Sequence, residues 1–172
     1  CMKMVKEGGS IFIFSMSNNH CGHGFYQFSP ELFYRIFDEQ NGFKTKSVVL
    51  VQHPFPGAEL SEKQKCYKVN DPAKIGRRSS LVTKSPLGIM VHAVKIKEKQ
   101  LFENYPQQSD YLLKTWDKNN KHGRKQNDKG SLKTMIRKII ENKVPKILRN
   151  TLFGYNQLWK FSLYRDKEFY VK

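Results

Sequence analysis

Between Asn18 and Phe28 the chain reads Asn-Asn-His-Cys-Gly-His-Gly-Phe-Tyr-Gln-Phe, a short stretch crowded with proton-accepting and hydrogen-bonding groups. Gly22 and Gly24 flank His23, and glycine permits backbone angles and close ligand approaches that other residues resist. A neutral imidazole in such a loop can take a proton from a hydroxyl as a general base, which makes His23 the first catalytic candidate and His20 the second. Asn19, Gly22, Gly24, Tyr26 and Gln27 are the groups expected to orient a substrate around them. A metal reading of His20, Cys21 and His23 lacks a fourth ligand at a recognisable spacing, so no metal is assigned.

Elsewhere the chemistry is sparser. Arg77-Arg78 could hold an anionic group, and Arg77 is taken as a substrate-binding candidate. His92 sits inside an apolar run and reads as a hydrogen-bonded core histidine. Leu132, Met135, Ile136, Ile139 and Ile140 recur at helical spacing and read as a packing stripe, with Pro145 ending or kinking that helix.

These groups need elements to position them. Ser10-Ile-Phe-Ile-Phe-Ser-Met16 is apolar at every alternation, the pattern of a strand covered on both faces in a parallel sheet. Ser29-Pro30-Glu31 then supplies an N-cap, a proline at the first helical position and an acid in the first turn. Leu32, Phe33, Ile36 and Phe37 form the apolar face of that helix, which Asn41-Gly42 should stop. Phe43 to Val51 predicts a second strand and Gly88 to Ile96 a third, with a proline-rich functional or capping insertion over residues 53 to 87. The β-α-β order implies a right-handed crossover within one sheet. In open α/β sheets ligands bind beyond the carboxyl ends of strands, and the histidine loop leaves one such end.

From Lys97 the composition turns basic, with Asn119 to Gly130 read as a loop. An aromatic and charged tail, including Trp159, Phe169 and Tyr170, is expected to pack back on the domain. Of the formal net charge of +16, residues 1 to 94 carry 12 Lys and Arg against 7 Asp and Glu, and residues 95 to 172 carry 19 against 8. Such an excess attracts nucleic acid, anionic lipid or phosphorylated ligands. Three cysteines without regular spacing argue against a disulfide framework. No stretch approaches the roughly 20 apolar residues of a membrane span, and nothing at the start is laid out like a signal peptide, so a soluble cytoplasmic protein is expected. Cys1, followed so soon by Gly8-Gly9 and a core strand, reads as the interior of a longer chain.

Four stretches resemble a known family. Lys3 to Phe14, Lys-Met-Val-Lys-Glu-Gly-Gly-Ser-Ile-Phe-Ile-Phe, resembles the Leu-Lys-Pro-Gly-Gly turn and following strand that precede the last third of class I S-adenosylmethionine-dependent methyltransferase domains, with Glu7 where proline is usual. Asn18 to Phe33 is similar to the Asn-His-x-Gly-His-Gly-x-x-Gln-Phe-Ser-Pro-Glu segment of a group of bacterial methyltransferase-like proteins, as are Asn70 to Arg77 and Ser162 to Tyr170. The resemblance implies an α/β fold: the C-terminal portion of a Rossmann-like methyltransferase sheet over residues 1 to 97, its last two strands an antiparallel edge. A basic, aromatic-rich α-helical extension would follow over residues 98 to 172.

It further implies methyl transfer from S-adenosylmethionine to a small-molecule or glycan-type acceptor. Ser15, where the first strand gives way to the histidine loop, is the residue assigned to the cofactor. The family's Gly-rich cofactor loop and acidic ribose-binding residue are not found in this sequence, so most of the cofactor should be held by a missing N-terminal half, and this chain alone should bind it poorly. The rival expectation is a non-catalytic basic module that binds nucleic acid or another polyanion through residues 97 to 172.

Overall fold

The computed structural model describes residues 1–55, 58, 61–79, 81–112, 148, 151, 162–163 and 165–172. Their elements follow in the order β1 (Ser10–Asn18), α1 (Pro30–Ile36), β2 (Phe43–Gln52), β3 (Lys65–Val69), α2 (Pro72–Ile75), β4 (Leu87–Lys95), α3 (Ser109–Leu112) and β5 (Tyr170–Val171). The five strands form one sheet in the order β1-β4-β2-β3-β5. The chain is thus mixed α/β, with every neighbouring pair of strands antiparallel.

The three strands expected from the sequence lie side by side. β4 sits between β1 and β2 and runs against both, so β1 and β2 point the same way without touching. Opposed residues fix the register: Phe14 faces Met90 across β1 and β4, and Val49 faces Met90 from the other side. The expected covered strand is corrected at β1. It is an edge strand among the described residues, and although Ile11 and Ile13 pack against the core, Phe12 is 74% exposed and Phe14 is also exposed. The apolar run of β1 is therefore real on both faces, but only one face meets a packing layer.

That packed face carries the core. Leu50 of β2, Tyr67 and Val69 of β3, and Leu87, Ile89, Val91 and Ala93 of β4 alternate along their strands and are buried. Phe33 of α1 and Phe37 just after it cover them, stacked at 6.4 Å between ring centroids, and Phe37 meets Phe43 at 5.5 Å. α1 ends at Ile36, earlier than the Asn41-Gly42 stop implied by the sequence. Phe37 leaves the helix at φ −102, ψ 56, and the Asp38 carboxylate accepts from the Asn41 backbone amide at 3.1 Å, making a separate turn. Gly42 does take the left-handed conformation, φ +73.

The 53 to 87 insertion is not wholly irregular. It contains β3 and the one-turn α2, where the Asp71 carboxylate accepts from Ala73 N at 3.0 Å. The tail packs back as expected: Leu163, Phe169 and Tyr170 are buried, and β5 pairs with β3. Residues 170 and 171 thus belong to the same sheet as the strands of residues 1 to 97. The predicted 119–130 loop, the Leu132–Ile140 stripe, Pro145 and Trp159 lie outside the described residues. Among the described residues no helix is long and apolar enough to cross a membrane.

Candidate functional site

β1 ends in an irregularity between Met16 and Asn18, and the chain then turns through Asn19 at φ +58. Asparagine is the side chain that best tolerates this left-handed region outside glycine. Its amide donates to two carbonyls of the loop before β4, Thr83 O at 2.8 Å and Ser85 O at 2.9 Å. The base of the loop is closed where Phe28 N donates to Met16 O at 2.9 Å, and its middle where His20 N donates to the Gln27 side-chain oxygen at 3.0 Å. His23 N turns back onto His20 O at 2.9 Å. Gly24 sits at φ +72, so the glycine there is conformationally required.

The loop divides its histidines. His23 and Tyr26 are exposed at the rim. His20 is 4% exposed and stands edge-on to two other rings, His23 at 5.3 Å and His53 at 5.6 Å between centroids. Sequence reasoning did not single out His53, which follows β2 directly and is 1% exposed. Gly88 makes room for it: a Cβ there would stand 3.2 Å from His53 Nε2 and 2.9 Å from the Phe14 ring. The available signal was its position at the carboxyl end of a buried strand, beside the end of β1.

Two concave regions are lined in part by the loop, and a third is lined by residues beside it. One of about 240 Å³ is lined by hydroxyl and amide groups, among them Ser17, Gln27, Ser29, Ser79 and Tyr170. A second, of about 310 Å³, shares Gln27 and adds Phe28, Arg35, Gln107 and Gln108. A third, of about 590 Å³, lies on the His53 side. Tyr170 is held protonated to higher pH than an ordinary tyrosine, chiefly by burial and further by Asp166, with opposition from Ser79 and Arg77. At neutral pH its hydroxyl is therefore a neutral hydrogen-bonding group in the first cavity.

The structure thus brings together Asn19, His20, Gly22, His23, Gly24, Tyr26 and Gln27. It does not bring Arg77 to them as an anion-holding group. Arg77 donates to both oxygens of Asp166, at 3.0 and 2.6 Å, and to Glu168 at 2.8 and 3.1 Å, while lying 4.3 Å over the Phe169 ring. Its guanidinium is engaged in fastening the C-terminal segment to the turn after α2. Arg78 is similarly paired with Asp110. Ser15 pairs with Ile89 inside the β1–β4 ladder and lines none of the three cavities. His92, expected as a core histidine, lies instead on the open sheet face, where it stacks on Phe12 at 4.4 Å and meets Ser10 Oγ at 3.2 Å.

Among the described residues no group of three or more His, Cys, Asp or Glu is arranged to hold a metal ion. Cys1, Cys21 and Cys66 are exposed free thiols. Most of residues 113 to 161, which carry much of the basic excess behind the nucleic-acid reading, lie outside the described residues. Compared with family models, with curated proteins and with solved structures, the chain matches none of them.

Proposed function

We propose that this chain is the acceptor-binding portion of an S-adenosylmethionine-dependent methyltransferase whose cofactor is held mainly by a further portion of a longer protein. The observation that carries the reading is the strand arrangement together with the loop it launches. β4 lies antiparallel between the codirectional β1 and β2, which agrees with the antiparallel edge expected of such a sheet, and the histidine loop leaves the carboxyl end of β1. The open edge of β1 and the exposed Phe12, Phe14 and Met90 are where the cofactor-holding portion would continue and cover the sheet.

The chain's own contribution is to place the acceptor. Ser17, Gln27 and Ser29 offer hydroxyl and amide groups suited to a polyhydroxylated, glycan-type molecule, and methyl transfer depends heavily on such positioning. His23, free of core packing, would take the proton of the attacking hydroxyl. S-adenosylmethionine supplies the methyl group when bound.

The test is to join this chain to the segment encoded upstream of Cys1 and measure S-adenosylmethionine binding by calorimetry. Binding should appear in the longer protein and be absent from residues 1 to 172 alone. A longer protein that binds no cofactor, or a 172-residue chain that binds it at micromolar concentration, would overturn the reading.

A further inference from the structure

α1 packs on one face of the sheet, and the opposite face is ordered by the strand register. Along one row Phe14, Met90, Val49, Lys68 and Val171 stand side by side across all five strands. In the next row Phe12 stands beside His92 and Ser47. These residues alternate with the core residues of their strands, so they point away from α1.

This face is apolar toward β1 and basic toward β3. Phe12 is 74%, Phe14 53% and Met90 48% exposed, and they occupy neighbouring positions. Large apolar side chains exposed together mark an interaction surface, whereas singly scattered ones do not. Lys68, and Lys44 beside Val94 on the same face, are exposed too. Adjacent strands lie about 4.8 Å apart, so β1 to β2 spans about 10 Å, close to the diameter of one α-helix. A helix laid on the apolar part therefore has its flank above Lys68, one strand further on.

Charge decides what that flank carries. A second copy of this chain would bring the same Lys44 and Lys68 into the contact. Residues 113 to 161 hold 13 Lys and Arg against 3 Asp and Glu, so as a cover they too would set like charge against like. Aspartate or glutamate would meet the two ammonium groups favourably and fix the direction of docking.

We infer that Phe12, Phe14 and Met90 dock an amphipathic α-helix from outside residues 1 to 172, its apolar stripe on those side chains and its acidic flank toward Lys44 and Lys68. The inference rests on the methyltransferase reading only in that a further polypeptide portion covers this face, and it holds if that portion binds no cofactor.

The experiment titrates two synthetic helical peptides of about 18 residues into the isotope-labelled chain and follows Phe12, Phe14 and Met90 by NMR. Both peptides carry one leucine stripe, flanked by glutamate in the first and by lysine in the second. Saturable shifts at the three residues are expected with the glutamate peptide alone, and they should vanish in Phe12→Thr/Phe14→Thr. Lys68→Ala should weaken binding about threefold, the scale of one exposed ion pair. Lys74→Ala, on α2 at the α1 side of the sheet, should leave it unchanged. Amide spectra away from the face verify that each variant is folded. Three results would overturn the inference: no binding or equal binding of the two peptides, glutamate-peptide binding that survives loss of both phenylalanines, or a dimer of the chain alone that Phe12→Thr/Phe14→Thr abolishes. Because no step uses S-adenosylmethionine, failure here is separable from failure of the methyl-transfer reading.

Discussion

The side-chain amide of Asn19 donates to the Ser85 carbonyl at 2.9 Å, joining the histidine loop to the segment that leads into β4. Because the same amide also reaches Thr83 O, one side chain fixes two loops at one end of the sheet. Asn19→Ala should lose both bonds together with the polar side chain that makes the left-handed conformation tolerable, lowering stability by about 1 to 3 kcal/mol. Asn19→Gly relieves the backbone cost and should recover about 1 kcal/mol of that loss. Denaturant melts of the two variants measure the difference, and equal midpoints would show that backbone conformation contributes nothing at this position.

His20 and His23 should separate on mutation. In the upstream-extended protein, His23→Ala should change stability by no more than about 0.5 kcal/mol, since the side chain is exposed, while turnover falls about 100-fold or more. His20→Ala removes a buried ring packed between two others and should visibly lower the melting temperature. Full turnover in His23→Ala would remove it from the chemistry.

Arg77 is expected to act on stability alone. Asp166 is almost wholly buried, so Arg77→Ala leaves its carboxylate unpaired; because Arg77 and Glu168 are partly exposed, the cost should be about 1 to 3 kcal/mol rather than that of a fully buried pair. Hydrogen exchange should accelerate at Asn70 and Tyr170, whose amides donate within the segment that Arg77 fastens. Unchanged exchange with reduced ligand binding would return Arg77 to the site.

Alkaline stability should be limited by buried tyrosines. Tyr34 donates to Val69 O at 2.5 Å, and burial, reinforced by Asp71 and opposed by Arg35, pushes its pKa up to about 12. Unfolded tyrosine ionises near 10, so above that pH the unfolded chain loses protons that the folded chain keeps. The stabilising contribution is complete below about pH 10 and disappears as pH climbs through 12. Melting temperatures between pH 8 and 12 should fall over that window, less steeply in Tyr34→Phe, with the buried Tyr170 accounting for part of the remaining slope.

The exposed face of β1 should be replaceable. Phe12→Thr/Phe14→Thr keeps β-compatible side chains and should leave the melting temperature of the 172-residue chain nearly unchanged while reducing its binding of an apolar dye. A large drop in stability would mean that these rings are packed.

How much of this was legible follows from chain physics. β1, β2 and β4 announce themselves by long apolar runs, and each observed strand lies within two residues of its expected bounds. β3 was missed because Lys65-Cys-Tyr-Lys-Val69 places only Tyr67 and Val69 inward, too short an alternation to stand out in a proline-rich stretch. The histidine loop was legible from its glycines. His53 was not, because nothing in the local sequence distinguishes a histidine before Pro54 from a turn residue; only the neighbouring end of β1 gives it a context. The pairing of Arg77 was hidden for a related reason, since its partners Asp166 and Glu168 lie about ninety residues away in sequence.

The pairing of β5 with β3 has a consequence for biosynthesis. Lys68 and Val69 emerge from the ribosome long before Tyr170 and Val171, to which they pair. At typical elongation speeds of about 5 to 20 residues per second, the outer edge of β3 stays open for roughly 4 to 15 seconds after β2 and β4 could have closed on each other. An open strand edge is a template for pairing with another chain, and β3 meets that interval with lysines at both position 65 and position 68. Lysine on a strand edge is a general device against such edge-to-edge pairing, and Lys68 lies within the segment that β5 later covers.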